Sequence, residues 1–354
     1  MPHKKGKGHI HLLVLRFSAM GDVAMTVPVL HALTTQHPEV RVIVASRAAF
    51  KPFFDGLPNV SFHAADLSGS HKGFFGILRL YKELKALHIY AVADLHNVLR
   101  TKIITKLFAW RGKKTATLNK IRDAQKRLTA AVNKDFSAVT PIVYRHADVF
   151  AALGFPVVLN ESAVLPKPAL PNELKDMAGS NDTIRIGIAP FAQHKGKVYP
   201  TDLMQQVIDA LAAKPGIRLY LFGGNKYEAH QLKKMAAERL NIEVVAGGRF
   251  TLKQELQLIA NLNVMLSMDS ANGHMAAMYG VPVITLWGAT HPYAGFVPYN
   301  QPLSNSVTAD REKYPLLPTS VYGNKVVPGY EDAMRTITPQ MVLDKIDEVL
   351  SRKS

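Results

Sequence analysis

The chain has 354 residues, 47% of them hydrophobic and 20% charged, which gives material for about two globular domains and excludes global disorder. It has no cysteine, so disulfides, Cys-ligated zinc, iron–sulfur clusters and thiol nucleophiles are excluded together, and no apolar run reaches the ~18 residues of a membrane span. Against 27 Asp+Glu stand 43 Lys+Arg, and the formal net charge of +16 implies an anionic partner.

Lys4, Lys5 and Lys7 precede an apolar run at residues 10–15. This imitates a signal peptide, but the run is short, Arg16 interrupts it and no small-residue cleavage site follows. It reads as a basic tail before a first buried strand at 11–16. Strands follow at 42–45, 60–63 and 90–94, with amphipathic helices at 23–36, 74–87, 98–110 and 143–153. Pro166, Pro168, Pro171, Gly179 and Ser180 mark 159–182 as a linker. The alternation then restarts, with strands at 184–189, 218–222, 243–245, 264–267 and 283–286 and helices at 201–214, 226–240, 252–261 and 271–279. Residues 289–336 are irregular, and 339–352 closes as an amphipathic helix. Strand–helix alternation predicts an α/β chain of parallel sheets with helices on both faces. Two such series imply two doubly wound domains facing a cleft, with ligands at the carboxyl ends of the strands.

The positive charge is uneven. Residues 100–134 hold eleven basic side chains and one acidic one, Asp123, a net +10 in one segment. A solvated helix face with basic loops accounts for this as well as an anion-binding role does.

No G-x-G-x-x-G, P-loop, H-E-x-x-H or D-x-D occurs. His9 and His11 share a strand face without a third ligand, and a polar strand edge is the plainer reading. Four stretches at strand ends carry candidate chemistry. In Ser18-Ala19-Met20-Gly21-Asp22, Asp22 falls where a helix cap belongs, yet a carboxylate there also suits a general base. In Asp269-Ser270-Ala271-Asn272-Gly273-His274, a hydroxyl, free N–H groups and a helix start make an anion site; the alternatives are a simple cap and a core histidine. The loop from Pro190 to Pro200 offers Lys195 and Lys197 to a phosphate leaving group. Phe222-Gly223-Gly224-Asn225 is placed to line a nucleotide.

In this order the blocks resemble glycosyltransferase family 9, the heptosyltransferases of lipopolysaccharide core synthesis. The match runs through residues 13–23, Thr26-Val27-Pro28-Val29-Leu30, Val92-Ala93-Asp94-Leu95-His96-Asn97, Lys197-Val198-Tyr199-Pro200, 269–277, Gly280-Val281-Pro282 and 287–292. The chain departs from the common family residues at Ser270-Ala271, His96-Asn97 and Tyr199, and at the double-glycine turn, where Lys226 and Glu228 stand near the usual place of a ribose-binding acid. The resemblance implies a GT-B fold of two Rossmann-like domains: residues 1–165 for the acceptor, 166–336 for the nucleotide sugar, and 337–354 as a helix packing back on the first domain. It implies an inverting, metal-independent transfer of heptose from ADP-heptose to a lipopolysaccharide inner-core acceptor, with no cofactor. Asp22 is then the base and Lys197 meets the diphosphate. Gly21, Gly223, Gly224, Asp269, Ser270, Ala271, Asn272, Gly273 and His274 surround the donor. Arg100, Lys113, Lys114, Lys120 and Arg122 draw an anionic, lipid-linked acceptor, with peripheral contact to an anionic membrane at the inner face of a bacterial inner membrane and a cytoplasmic location. Two alternatives stand beside it: a GT-B-like enzyme using another nucleotide sugar, and a basic nucleic-acid-binding protein, for which no reader module is present.

Overall fold

The computed structural model describes residues 9–180, 182–325 and 327–352; the basic residues Lys4, Lys5 and Lys7 lie outside them. The chain divides into two compact units. One holds the described residues through Lys120 together with Ile142–Ala163. The other holds Ile121–Pro141 and the described residues from Val164 onward.

The first unit begins β1 (Ile10–Leu15), α1 (Met20–Ala24), α2 (Val27–Gln36), β2 (Val40–Ser46), β3 (Val60–Ala64), α3 (Gly73–Lys85), β4 (Ala91–Asp94), α4 (Leu99–Ala109) and β5 (Lys114–Thr117). Its five strands are parallel, in the order β3-β2-β1-β4-β5. The last four residues of β1 and all of β4 are buried, as strands covered on both faces must be. Leu13 pairs in register with Ile43 on one side and Val92 on the other, and these join Leu80, Leu84 and Phe108 in one apolar cluster. The single helix expected at 23–36 is two. Pro28 lacks an N–H to donate backwards, so it occupies the first turn of α2 instead of the middle of a longer helix.

The chain then passes through residues 121–141, which carry α5 (Arg122–Leu128) and belong to the second unit, before returning with α6 (Ile142–Leu153). The expected span of 1–165 for one domain contains no such exchange. What ties the excursion to the second unit is specific: Gln125 Nε2 donates to the Ala294 carbonyl at 3.1 Å, and the Phe136 ring lies 4.9 Å from that of His291.

In the second unit come α7 (Asn172–Ala178), β6 (Ile184–Ala189), α8 (Thr201–Ala212), β7 (Ile217–Phe222), α9 (Lys226–Ala236), β8 (Ile242–Val245), α10 (Leu252–Ala260), β9 (Val264–Met268), α11 (Ala271–Ala277), β10 (Val283–Trp287), β11 (Ser306–Thr308) and α12 (Pro339–Ser351). The sheet order is β11-β10-β9-β6-β7-β8, again all parallel. The closing helix belongs to the second unit. Val342, Ile346 and Val349, at helical spacing, enter the core of the second unit with Met204, Val207 and Leu211 of α8. Thr338 caps α12 by accepting the Met341 N–H at 3.2 Å. Among the described residues no helix is long and apolar enough to cross a membrane.

Candidate active site

In doubly wound sheets the strand order reverses at one point, and the loops leaving the strands on either side diverge there to leave a binding site. In the first unit this point lies between β1 and β4, and in the second between β6 and β9. Both carry polar clusters.

At the first, Asp22 lies in α1, directly beyond β1. Its Oδ2 pairs with the guanidinium of Arg16 and accepts the Ala19 N–H at 3.2 Å, which closes the turn at the helix start. Arg16 is 6% exposed, and its second nitrogen donates to the Leu95 carbonyl at 2.7 Å. It thus ties the β1 loop to the β4 loop and fixes the carboxylate. Beyond β4, the buried Asp94 accepts the N–H groups of His96 (3.0 Å) and Asn97 (2.8 Å) and shapes that loop; burial pushes its proton affinity up. Burial first, then the charges of Arg16 and Lys120, push the His96 imidazole down to about 3. It is therefore neutral at pH 7. Its Nδ1 accepts from the Phe17 N–H (3.5 Å), so the proton sits on Nε2, facing Ser18 Oγ at 3.4 Å. Gly21 lies inside α1, where its carbonyl accepts the Met25 N–H.

At the second, Lys197 and Asp269 form an ion pair of 2.8 Å between side chains 15% and 5% exposed. The ammonium also donates to the Asp269 carbonyl at 3.2 Å. Tyr199 holds the lysine loop down. It is fully buried, its N–H meets Met268 Sδ (3.3 Å) and its hydroxyl donates to the Ile337 carbonyl (2.7 Å); burial pushes that hydroxyl up to about 12. Gly323, at φ +74°, lies against the stem of Lys197 so closely that a Cβ there would stand 2.5 Å from its Cγ. Ser270 is the N-cap residue of α11 but makes no side-chain capping bond, and its buried Oγ has no hydrogen-bond partner among the described residues. Ala271 and Asn272 follow in the first turn, half-buried, and His274 is buried on the same helix.

Several expected binding residues have packing roles. A Cβ at Gly273 would meet Ser267 Oγ at 2.6 Å, so this glycine lets α11 lie on β9 and β10. A Cβ at Gly223 would meet Leu232 at 2.9 Å. Beside it, Gly224 donates its N–H to Glu228 Oε2 at 2.6 Å, and Asn225 Nδ2 donates to Oε1 at 3.0 Å. The Glu228 carboxylate is thereby fixed at the strand end.

The five basic residues assigned to the acceptor do not form one cluster. Arg100, in the first turn of α4, and Lys120, beyond β5, lie at the site end of the first sheet, and Lys120 is near enough to act electrostatically on Asp94 and His96. Lys114 opens β5 and Lys113 precedes it, which puts both at the opposite end; Lys114 Nζ donates to the Leu153 carbonyl at 3.0 Å. Arg122 belongs to the second unit. His11 bonds the Leu87 carbonyl and His9 faces Arg41. Arg16 is the residue that motif reading missed. Its signal is a charged side chain ending an otherwise apolar buried strand.

The sequence matches the family model described as glycosyltransferase family 9 (heptosyltransferase) over residues 77–327. It is 26% identical to lipooligosaccharide heptosyltransferase 2 of Haemophilus influenzae, with 97% of this chain and 100% of that protein covered. It is also 26% identical to lipopolysaccharide heptosyltransferase 2 of Salmonella typhimurium, covering 97% and 99%. Among solved structures, a family 9 glycosyl transferase from Veillonella parvula superposes with a TM-score of 0.74 at 17% identity, covering 99% of this chain and 100% of that one. The E. coli heptosyltransferase WaaC with ADP superposes with a TM-score of 0.66 at 19% identity, covering 96% and 100%. The two parallel sheets and these neighbours define a GT-B fold.

Proposed function

This chain belongs to glycosyltransferase family 9, the heptosyltransferase family, and from that premise we propose that it transfers heptose from ADP-heptose to a lipopolysaccharide inner-core acceptor, with inversion and without a metal ion. The observation that carries the reading is the buried Lys197–Asp269 pair at the switch point of the second sheet, matched by Arg16–Asp22 at that of the first. A diphosphate leaving group needs positive charge, and a sugar hydroxyl nucleophile needs a base. Each unit offers one of these. The ADP bound to the structural relative WaaC supports an adenine nucleotide.

In this mechanism the acceptor hydroxyl oxygen attacks the anomeric carbon and its proton passes to Asp22. The bond from that carbon to the diphosphate oxygen breaks, and the electron pair leaves on ADP. A single displacement inverts the centre. The transition state has oxocarbenium character, as in glycoside hydrolysis. Negative charge grows on the diphosphate, where the Lys197 ammonium, Ser270 Oγ and the backbone N–H groups of Ala271–Gly273 receive it. Asp269 orients the ammonium. Glu228, held at the Gly223–Gly224 turn, takes the ribose hydroxyls. Lys197 supplies the charge that a divalent cation would otherwise supply.

The acceptor is anionic and lipid-linked, and the enzyme works at the cytoplasmic face of the inner membrane, bound peripherally. Phe74, Phe75 and Leu99 are 59%, 84% and 77% exposed at the starts of α3 and α4, and Lys72 and Lys102 flank them. Apolar rings beside cations favour an anionic lipid surface.

The test is transfer assayed with ADP-heptose and an inner-core acceptor in the presence of EDTA, with the product's anomeric configuration read by NMR. Inverted product formed in EDTA supports the reading. Retention, loss of transfer in EDTA, or selective calorimetric binding of UDP or GDP over ADP overturns it.

A further inference from the structure

Within the second unit, residues of the 121–141 excursion together with Leu316, Thr319, Lys325 and Val327 line an open pocket of about 360 Å3. Lys126 and Thr129 line one side, and Thr319 and Lys325 the other. Next to it, Lys134 Nζ donates to the carbonyls of Leu128 and Pro318, each at 2.9 Å. Arg311 Nε donates to the Leu317 carbonyl at 3.0 Å while its guanidinium lies 3.4 Å above the Phe136 ring.

Four cations therefore surround one loop. Among the described residues none of them is paired with a carboxylate; the nearby pair Arg127–Asp135 uses a different arginine. Carbonyl oxygens accept two bonds from the Lys134 ammonium and one from Arg311 Nε but cancel no net charge. Burial, and then the charge of Arg311, hold the Lys134 ammonium below its ordinary pKa. A pocket with this surplus positive potential and no acid in its lining selects an oxyanion. Its volume lies in the range of small-ligand sites and accommodates a phosphate together with part of a sugar.

The same loop has a second role. Gly323, between Thr319 and Lys325, lies on the stem of Lys197. An occupant of the pocket would thus rest against the loop that holds the leaving-group lysine. We propose that this pocket binds a phosphate monoester carried by the saccharide acceptor. The inference rests on the reading of the chain as a transferase to a saccharide and adds the anionic substituent that this unit recognises.

The experiment is equilibrium binding of glucosamine 6-phosphate, glucosamine and inorganic phosphate to the full chain, with ADP titrated in parallel. It compares the wild type, the Lys126→Gln/Lys325→Gln variant and the Lys126→Arg/Lys325→Arg variant. Both lysines are exposed, so the melting temperature should not move. Glucosamine 6-phosphate is expected to bind the wild type in preference to glucosamine, to lose about tenfold or more in affinity in the Gln variant, and to recover in the Arg variant. ADP affinity should be the same in all three. Equal affinity for the sugar phosphate in the wild type and the Gln variant overturns the proposal. So does a site that takes inorganic phosphate but not the sugar phosphate, which would be a free-anion site. Absence of ADP binding in all three proteins would count against the reading of the Lys197 centre and not against the pocket.

Discussion

Lys197 and Asp269 are 72 residues apart in sequence and 2.8 Å apart in space, each drawn from the loop after one of the two strands that flank the switch point. The pair is almost dry, so it is strong only while both partners are present. Replacing Lys197 by Met should lower turnover by about 10²–10³ through lost stabilisation of the leaving group and weaken ADP binding. It should also destabilise the fold by roughly 3 kcal/mol, because Asp269 is left buried and unpaired. Calorimetry with ADP and a urea melt separate the two effects.

Gly323 positions that lysine without touching substrate. At φ +74° an alanine is strained, and its Cβ would fall 2.5 Å from Lys197 Cγ. Gly323→Ala should therefore reduce kcat by more than it raises the KM for the donor. A change confined to stability, with normal kcat in the folded fraction, would count against a positioning role.

Asp22→Asn keeps the size of the side chain and an oxygen to accept the Ala19 N–H but cannot take a proton. Transfer should fall by about 10²–10⁴, with ADP affinity unchanged. Near-normal turnover would remove Asp22 as the base. Loss of fold, read by circular dichroism, would show that its pairing with the buried Arg16 is chiefly structural.

At Gly273 a side chain has nowhere to go, since Ser267 Oγ would be 2.6 Å and Val283 3.2 Å from its Cβ. Gly273→Ala should cost roughly 1–3 kcal/mol in a denaturant melt. A neutral melt combined with lost ADP binding would instead make this glycine a ligand contact.

Burial pushes the Glu255 carboxyl up to about 7, from 4.5. The native state then holds this proton more tightly than the unfolded chain does, so stability falls as pH rises through the window between those values, and the full penalty is present above it. Glu255→Gln should raise stability by about 2 kcal/mol near pH 8 and by nothing near pH 4. Melts at the two pH values test the sign as well as the size.

The strand–helix alternation was legible because strands such as 12–15 and 264–268 are apolar on both faces, a pattern that helices on both sides of a sheet impose. β5 and β11 carry no such pattern, because Lys114–Thr117 and Ser306–Thr308 are short edge strands with few large apolar residues. Because β5 starts at Lys114, Lys113 and Lys114 lie at the end of the sheet opposite Asp22. The position of Asp22 after the first strand is readable from its motif, whereas Arg16 reads as the end of that strand and part of the matching stretch 13–23, with no sign that it pairs with Asp22. The meeting of Lys197 with Asp269 depends on which strands are neighbours, and nothing local in either loop encodes that. The affiliation of 121–141 with the second unit is likewise a matter of long-range partners, namely Ala294, His291 and Pro318.

That affiliation also sets an order of events during synthesis. Residues 121–141 leave the ribosome more than a hundred residues before the carbonyl and ring partners at 291–318 that will receive them. Until then Gln125, Lys134 and Phe136 lack these partners, although the sheet strands β1–β5 are already complete. No single cut in the polypeptide yields two whole units: a fragment ending at Ala163 carries an arm that belongs to the other unit, and one beginning at Val164 lacks it. The second unit is therefore assembled from two separate stretches of translation, and its pocket at Lys126 and Lys325 comes into being only when the later one arrives.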